Sequence, residues 1–358
     1  MQKLIPILLI VLLVLSACGK NESSSREGNE DKDQGLVVMT TLYPLQDFTE
    51  KIGGSHVKVD TIFPPGVDAH TYEPTPSVMK DLVDSDLFIY NGAGIEGFAV
   101  AAVKTLKNED VAILEASHGI KLKELSEHHH DHDKEHSENK SYEDGEAHKE
   151  DEHVHKDSST PKEDEHAHED SGTHKEDEHG HDHGSVDPHF WLDPIQAIEL
   201  AENIKDQLIK SKPNAKEDFE KNFNSLKGDL LKLDSDFQEM MKASNQKEIL
   251  VSHAAYGYWE DRYGIEQISV SGLSPTNEPT QKQIKSIITE TKAHNINYIL
   301  FEQNVSTKPA EMIKEQLGLE ILYLHNLSVR TEENITQNED YFDLMYKNLD
   351  TLKKVFQN

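Results

Sequence analysis

Short apolar runs alternate with amphipathic stretches over most of the chain. Runs at 36–43 (LVVMTTLY), 56–63 (HVKVDTIF), 87–93 (LFIYNGA) and 111–116 (VAILEA) predict four buried strands. Helical spacing lies between them at 45–52, 76–84 and 97–106. The pattern returns further on, with strands expected at 249–252, 265–270, 298–301 and 321–324, and helices at 256–262, 279–294, 308–317 and 341–356. Two sets of four strand–helix units predict an α/β protein of two lobes, each with a mostly parallel four-stranded sheet flanked by helices. Between the sets, Phe219, Phe223, Leu226, Leu230, Leu233, Phe237 and Met240 step by four and three residues and form one apolar seam. A coiled-coil dimer would use such a seam. With only three heptads and α/β lobes on both sides, it reads instead as one long helix lying across both lobes, roughly 30 to 40 Å long at 1.5 Å per residue. The expected division is an N-terminal lobe at 36–212, a linking helix at 213–243 and a C-terminal lobe at 244–358.

One stretch cannot belong to either core. Residues 127–184 hold 21 Asp or Glu, 6 Lys and 14 of the chain's 21 His, so they supply about half of its net charge of −31. KEDEHVH, KEDEHAH and KEDEHGH begin at Lys149, Lys162 and Lys175, a 13-residue repeat. A segment this polar buries too little to offset its ordering entropy, and it is expected to be disordered without metal. It is an insertion in the N-terminal lobe. The overall negative charge argues against nucleic acid as a partner. The single Cys excludes a disulfide framework and any zinc site built on two thiolates.

That cysteine has a place of its own. Lys3 followed by an apolar run at 4–15 reads as a signal peptide over 1–17, too short to span a bilayer that needs about 20 residues. Leu15-Ser16-Ala17-Cys18 resembles a bacterial lipobox, which makes Cys18 the expected lipidation site. Residues 18–35 then form a flexible tether. The folded part is expected on the extracytoplasmic face of the cell membrane.

Seven histidines lie outside the insertion. His70 sits in PPGVDAHTYEP after a predicted strand, His189 in VDPHFWLDP between prolines, and His253 at the end of the strand in VSHAAYGY. Glu302 ends another strand in FEQN. Ligands of open α/β sheets bind beyond strand ends, and neutral imidazoles with one carboxylate suit Zn²⁺. Such a set fills a tetrahedron and leaves little room for a reactive water. A site of this kind holds metal without turning anything over, and neither HExxH nor GxSxG is present.

The segments PPGVDAHTYEPTP, DLFIYNGAGIEGF, DPHFWLDP, VSHAAYGYW, SGLSPTNEPT and DYFDLMYKNLDTLKKVF together resemble the metal-binding solute-binding lipoproteins of bacterial ABC importers. The His-rich acidic insertion just before DPHFWLDP resembles the zinc branch of that family. The resemblance implies metal held in the cleft between the lobes by His70, His189 and His253. Ala69 stands where some zinc members carry an acid, which leaves Glu302 or a water for the fourth position. It further implies a monomer that delivers Zn²⁺ to an ABC permease subunit and performs no catalysis. A zinc hydrolase and a surface adhesin or zinc store are the rival classes.

Other polar residues have more ordinary expectations. His56 and His294 read as surface residues, His118 as the flank of the insertion, and His325 as a strand-end residue rather than a ligand. Glu73 is near His70 in sequence and is a weak ligand candidate. Asp187 and Asp193 are expected to orient His189, with helix capping before Pro194 the alternative for Asp193. Trp191, Tyr256 and Trp259 are expected to pack and dry the site. In the insertion, His128, His129, His130, His132, His153, His155, His166, His168, His179, His181 and His183 form pairs and clusters suited to loose, low-affinity metal collection. The plainer alternative is a solvated acidic loop.

Overall fold

The computed structural model describes residues 35–125, 186–303 and 307–357. The first sheet grows around β1 (Leu36–Thr40), which leads through α1 (Tyr43–Gly53) into β2 (Val57–Thr61). Next come α2 (Pro76–Val83), β3 (Leu87–Tyr90), α3 (Ala99–Leu106) and β4 (Ala112–Glu115). The strand order is β2-β1-β3-β4 and every pairing is parallel, with Val38 opposite both Val59 and Leu87. Helices cover parallel strands on both faces, which is why runs such as LFIY carry no polar alternation. The predicted first strand is shorter than expected because Pro44 sits in the first turn of α1.

Two helices lead to the second lobe. α4 (Pro194–Ser211) is not among the elements the periodicity predicts. Asp193 caps it, accepting from the Ile195 amide at 2.8 Å, and it buries Ala197, Ile198, Leu200, Ala201, Ile204 and Leu208. α5 (Lys216–Lys242) is the expected long helix, with 27 residues and so about 40 Å in length. All seven seam residues are buried.

The second sheet repeats the plan with β5 (Glu248–His253), α6 (Gly257–Tyr263), β6 (Glu266–Ser271), α7 (Gln281–Ala293), β7 (Tyr298–Phe301), α8 (Lys308–Leu317) and β8 (Glu320–Tyr323). Its order, β6-β5-β7-β8, is again wholly parallel. The short α9 (Glu332–Thr336) and the capped α10 (Tyr341–Phe356) close the chain.

α5 packs on α1 and α4 of the first lobe and on α6 and α10 of the second, and α10 also reaches α1. One apolar cluster therefore runs from Val38 and Phe48 through Phe219 and Leu230 to Trp259 and Leu349. A separate cluster around Leu250, Ile299, Phe301 and Ile313 fills the other face of the second sheet. The linking helix is thus not the only connection between the lobes, because α10 provides another. Among the described residues, no helix is long and apolar enough to cross a membrane.

Candidate metal site

In each sheet the crossovers leave the first strand in opposite directions, which opens a crevice beyond its carboxyl end. His253 is the last residue of β5, the strand at that switch point, and Glu302 directly follows its neighbour β7. Both side chains are buried there. His70 comes from the loop after β2. Its amide donates to Asp68 Oδ1 at 3.0 Å, Thr71 Oγ1 donates to Asp68 Oδ2 at 3.2 Å, and Phe63 packs edge-on against Tyr72. Gly66 has a φ of +73° in this loop, a conformation that favours glycine, and its amide donates to the Arg330 carbonyl at 3.0 Å.

His189 stands on a turn at 187–193 that precedes α4. Asp187 Oδ1 accepts from the His189 amide at 3.0 Å and lies 2.8 Å from His189 Nδ1. A carboxylate can only accept, so Nδ1 carries the proton and Nε2 keeps its lone pair. Asp187 therefore orients the histidine while Asp193 caps α4, so each of the two roles weighed for these residues falls to one of them.

Most bonds to this turn come from the second lobe. Tyr258 Oη donates to the Asp187 carbonyl at 2.8 Å, Trp259 Nε1 to Leu192 at 2.8 Å and Tyr341 Oη to Trp191 at 2.7 Å. Trp191 Nε1 donates in return to the Asn326 carbonyl at 2.8 Å, and Arg262 Nε lies 3.2 Å from Asp193 Oδ1. From the first lobe, Asn91 Nδ2 donates to the Pro188 carbonyl at 3.2 Å and the Lys123 carbonyl accepts the Asp187 amide at 2.9 Å.

These elements bring His70, His189 and His253 together, with one ligand atom from each lying within 4.8 Å of the others. Ring centroids are 5.4 to 6.1 Å apart. Zinc with bonds of about 2 Å sets tetrahedral ligands roughly 3.3 Å apart, so a small inward movement completes the geometry. Burial and the neighbouring imidazoles push the His70 pKa down to about 2, which keeps that ring neutral and able to donate a lone pair.

Glu302 touches the triad through His253: its Oε1 faces His253 Nδ1, without forming a hydrogen bond, and Oε2 accepts from Asn326 Nδ2 at 2.5 Å. Among the described residues, His189 Nε2, both His253 nitrogens, Glu302 Oε1 and Tyr256 Oη are buried without a hydrogen-bond partner. So many unpartnered polar atoms, lone-pair nitrogens and a carboxylate oxygen among them, fit a cation as their common partner. Trp191, Tyr256 and Trp259 are almost wholly buried; Trp191 packs against His189, and Tyr256 and Trp259 pack on each other.

Beside the triad a cavity of about 640 Å³ opens, lined by His70, Asp187, Gly257 and Asn277 and also by Leu125 and Val186. Those last two residues flank the His-rich insertion, and Glu124 pairs with Val186 in an antiparallel bridge. The insertion's histidines and Cys18 lie outside the described residues.

The remaining candidates take structural roles. Glu73 and His118 are exposed, His294 pairs with Glu248, and His56 lies 2.9 Å from Asp218. His325 is buried with both ring nitrogens engaged, Nε2 with Asn334 Oδ1 at 3.0 Å and Nδ1 with the Leu327 amide at 2.9 Å. Sequence reasoning missed Asn326, Tyr258 and Gly257. At Gly257 an added Cβ would lie 2.4 Å from Asp187 Oδ2, so only glycine lets α6 approach that carboxylate.

A two-lobed α/β fold with a triad of histidines beyond its strand ends is the architecture of an extracytoplasmic solute-binding protein whose solute is a metal. The chain belongs to the family described as zinc-uptake complex component A, periplasmic, whose model matches residues 38–355. It is 33% identical over 341 residues to the high-affinity zinc uptake system protein ZnuA of Bacillus subtilis, covering 95% of this chain and 93% of that protein. It is 30% identical over 343 residues to the zinc-binding lipoprotein AdcA of Streptococcus pneumoniae, covering 96% of this chain but only 58% of that longer protein. Among solved structures, the Zn(II)-bound ZnuA-like domain of S. pneumoniae AdcA superposes with a TM-score of 0.65 at 27% identity, over 90% of this chain and 100% of that one. The metal-dependent lipoprotein YcdH of B. subtilis gives 0.65 at 28%, with the same coverage.

Proposed function

We propose that this protein is the extracytoplasmic zinc-binding component of an ABC importer, which captures Zn²⁺ and hands it to a membrane permease. It catalyses no reaction. The observation that carries this reading is the convergence of three imidazoles from three distant segments, beside a buried carboxylate. His70, His189 and His253 are the proposed ligands and Glu302 the fourth. Three neutral imidazoles and one carboxylate leave a net charge of +1 on a bound Zn²⁺, far easier to bury than a bare dication.

The proposed chain organisation is a signal peptide at 1–17, a lipidated Cys18 with a tether to residue 35, lobes at 36–212 and 244–358, and the linking helix at 213–243. The lipid would hold a monomer at the outer face of the cell membrane, and docking on the permease would part ligands contributed by opposite lobes. The insertion at 127–184 acts as a weak collector, and the placement of its flanking residues on the cavity wall supports delivery into the cleft. Metal analysis and zinc titration of the purified protein, with His253→Ala alongside, test the reading. A tight step in the wild type that the variant loses is the expected result. No tight step in the wild type would overturn it.

A further inference from the structure

Glu302 is buried and close to fully desolvated, yet only one of its oxygens has a hydrogen-bond partner. That partner is Asn326, two residues beyond Leu324 on the loop that follows β8. Its amide has no freedom to turn over. Asn326 Oδ1 accepts from the Ser328 amide at 3.0 Å and from Ser328 Oγ at 2.8 Å, so the oxygen end is occupied and the NH₂ end must face Glu302. The Asn326 backbone carbonyl meanwhile accepts from Trp191, on the turn that carries His189. One residue thus ties the carboxylate beside His253 to the turn that presents His189.

We infer that Asn326 is a positioning residue for zinc: its amide holds Glu302 Oε2 so that Oε1 is presented to the ion beside His253. The inference rests on the proposed role of Glu302 as fourth ligand. An amide suits this task better than a second acid, because a carboxylate here would set two like charges against each other in a buried pocket. It also suits it better than an apolar side chain, which would leave Oε2 without a partner. Groups that orient a ligand from behind in this way commonly alter metal affinity by about 10- to 100-fold.

The test uses purified full-length protein stripped of metal and titrated with Co²⁺, whose visible bands report ligand geometry, and with Zn²⁺ against a competing chelator. Wild type is compared with Asn326→Ala, Glu302→Ala and the double variant. Asn326→Ala is expected to replace the wild-type cobalt spectrum with one resembling that of Glu302→Ala, to weaken Zn²⁺ binding about 10-fold, and to add nothing further in the Glu302→Ala background. Asn326→Asp keeps the acceptor that Ser328 needs but replaces the donor with an acid oxygen facing Glu302, so it too should lose the wild-type spectrum even if the alanine variant folds poorly. A wild-type spectrum in Asn326→Asp would overturn the inference. So would an effect of Asn326→Ala that is undiminished when Glu302 is already gone, since that marks a purely structural role. If Glu302→Ala itself keeps the wild-type spectrum and affinity, Glu302 is not a ligand, and the inference falls together with that part of the functional reading.

Discussion

Asp187 Oδ1 holds His189 twice, through the backbone amide at 3.0 Å and through ring Nδ1 at 2.8 Å. One oxygen therefore fixes both where the histidine sits and which nitrogen it offers. Replacing Asp187 with Ala removes the tautomer control and leaves the fold's apolar core untouched. Zinc affinity is expected to fall about 10- to 100-fold with little change in the apo melting temperature. Chelator competition and thermal unfolding read the two quantities separately.

Gly257 gives an independent route to the same carboxylate. A Cβ there would lie 2.4 Å from Asp187 Oδ2, so Gly257→Ala must displace either Asp187 or the start of α6. The variant is expected to bind zinc at least about 10-fold more weakly, as loss of an outer-shell partner does. An alanine protein with wild-type affinity would show that α6 gives way and leaves Asp187 in place.

The proposed ligands themselves should matter more. His70→Ala, His189→Ala and His253→Ala are each expected to exceed the roughly 100-fold upper range for an outer-shell loss. Isothermal titration of the three proteins makes the comparison. Equal, small losses in all three would argue that the ion binds elsewhere.

Acid should act on folding through His70. Its folded pKa is about 2, below the 6.5 of a free imidazole. Above pH 6.5 both folded and unfolded states hold it neutral, and stability is unaffected. Below that value the unfolded chain takes up a proton that the folded protein refuses, so the metal-free protein loses stability as pH falls, by at most about 1.4 kcal/mol per pH unit from this group. Proton competition at free imidazoles would weaken zinc binding below about pH 6.5, but at His70 burial moves much of that cost onto the fold. Thermal melts of the metal-free protein between pH 7.5 and 5 should decline, and the slope should be shallower for His70→Ala.

The His-rich insertion can be removed to separate collection from tight binding. Glu124 and Val186 already pair, so a short link across residues 127–184 should leave the lobe intact. The shortened protein is expected to keep its tight site and to support slower uptake only when zinc is scarce. Loss of the tight site on deletion would refute this division of labour.

The sheets and the long helix were legible because their patterns are local: four-residue apolar runs, and a seam stepping by four and three. The three histidines that converge were legible for a related reason, since prolines flank His70 and His189 and His253 ends a strand run. α4 escaped notice although Asp193-Pro194 is a good start signal, because its buried small residues, Ala197 and Ala201, weaken the apolar stripe. Asn326, Tyr258 and Gly257 were out of reach for another reason. Their roles arise only when separate segments meet: Asn326 lies 24 residues from Glu302 and 135 from Trp191, and Tyr258 lies 71 from Asp187.

The turn at 187–193 precedes α4 in the chain, but its hydrogen bonds run mainly to Tyr258, Trp259, Asn326 and Tyr341, and Asp193 pairs with Arg262. The cage of proposed ligands is therefore divided three against one: Glu302 already stands beside His253, and rotation of one sheet against the other would carry His189 along with both. His70 alone rides on a short proline-braced arm, joined across the gap, among the described residues, by one backbone bond from Gly66 to Arg330. Letting go of the cargo would then ask for the withdrawal of that arm, not the dismantling of the cage.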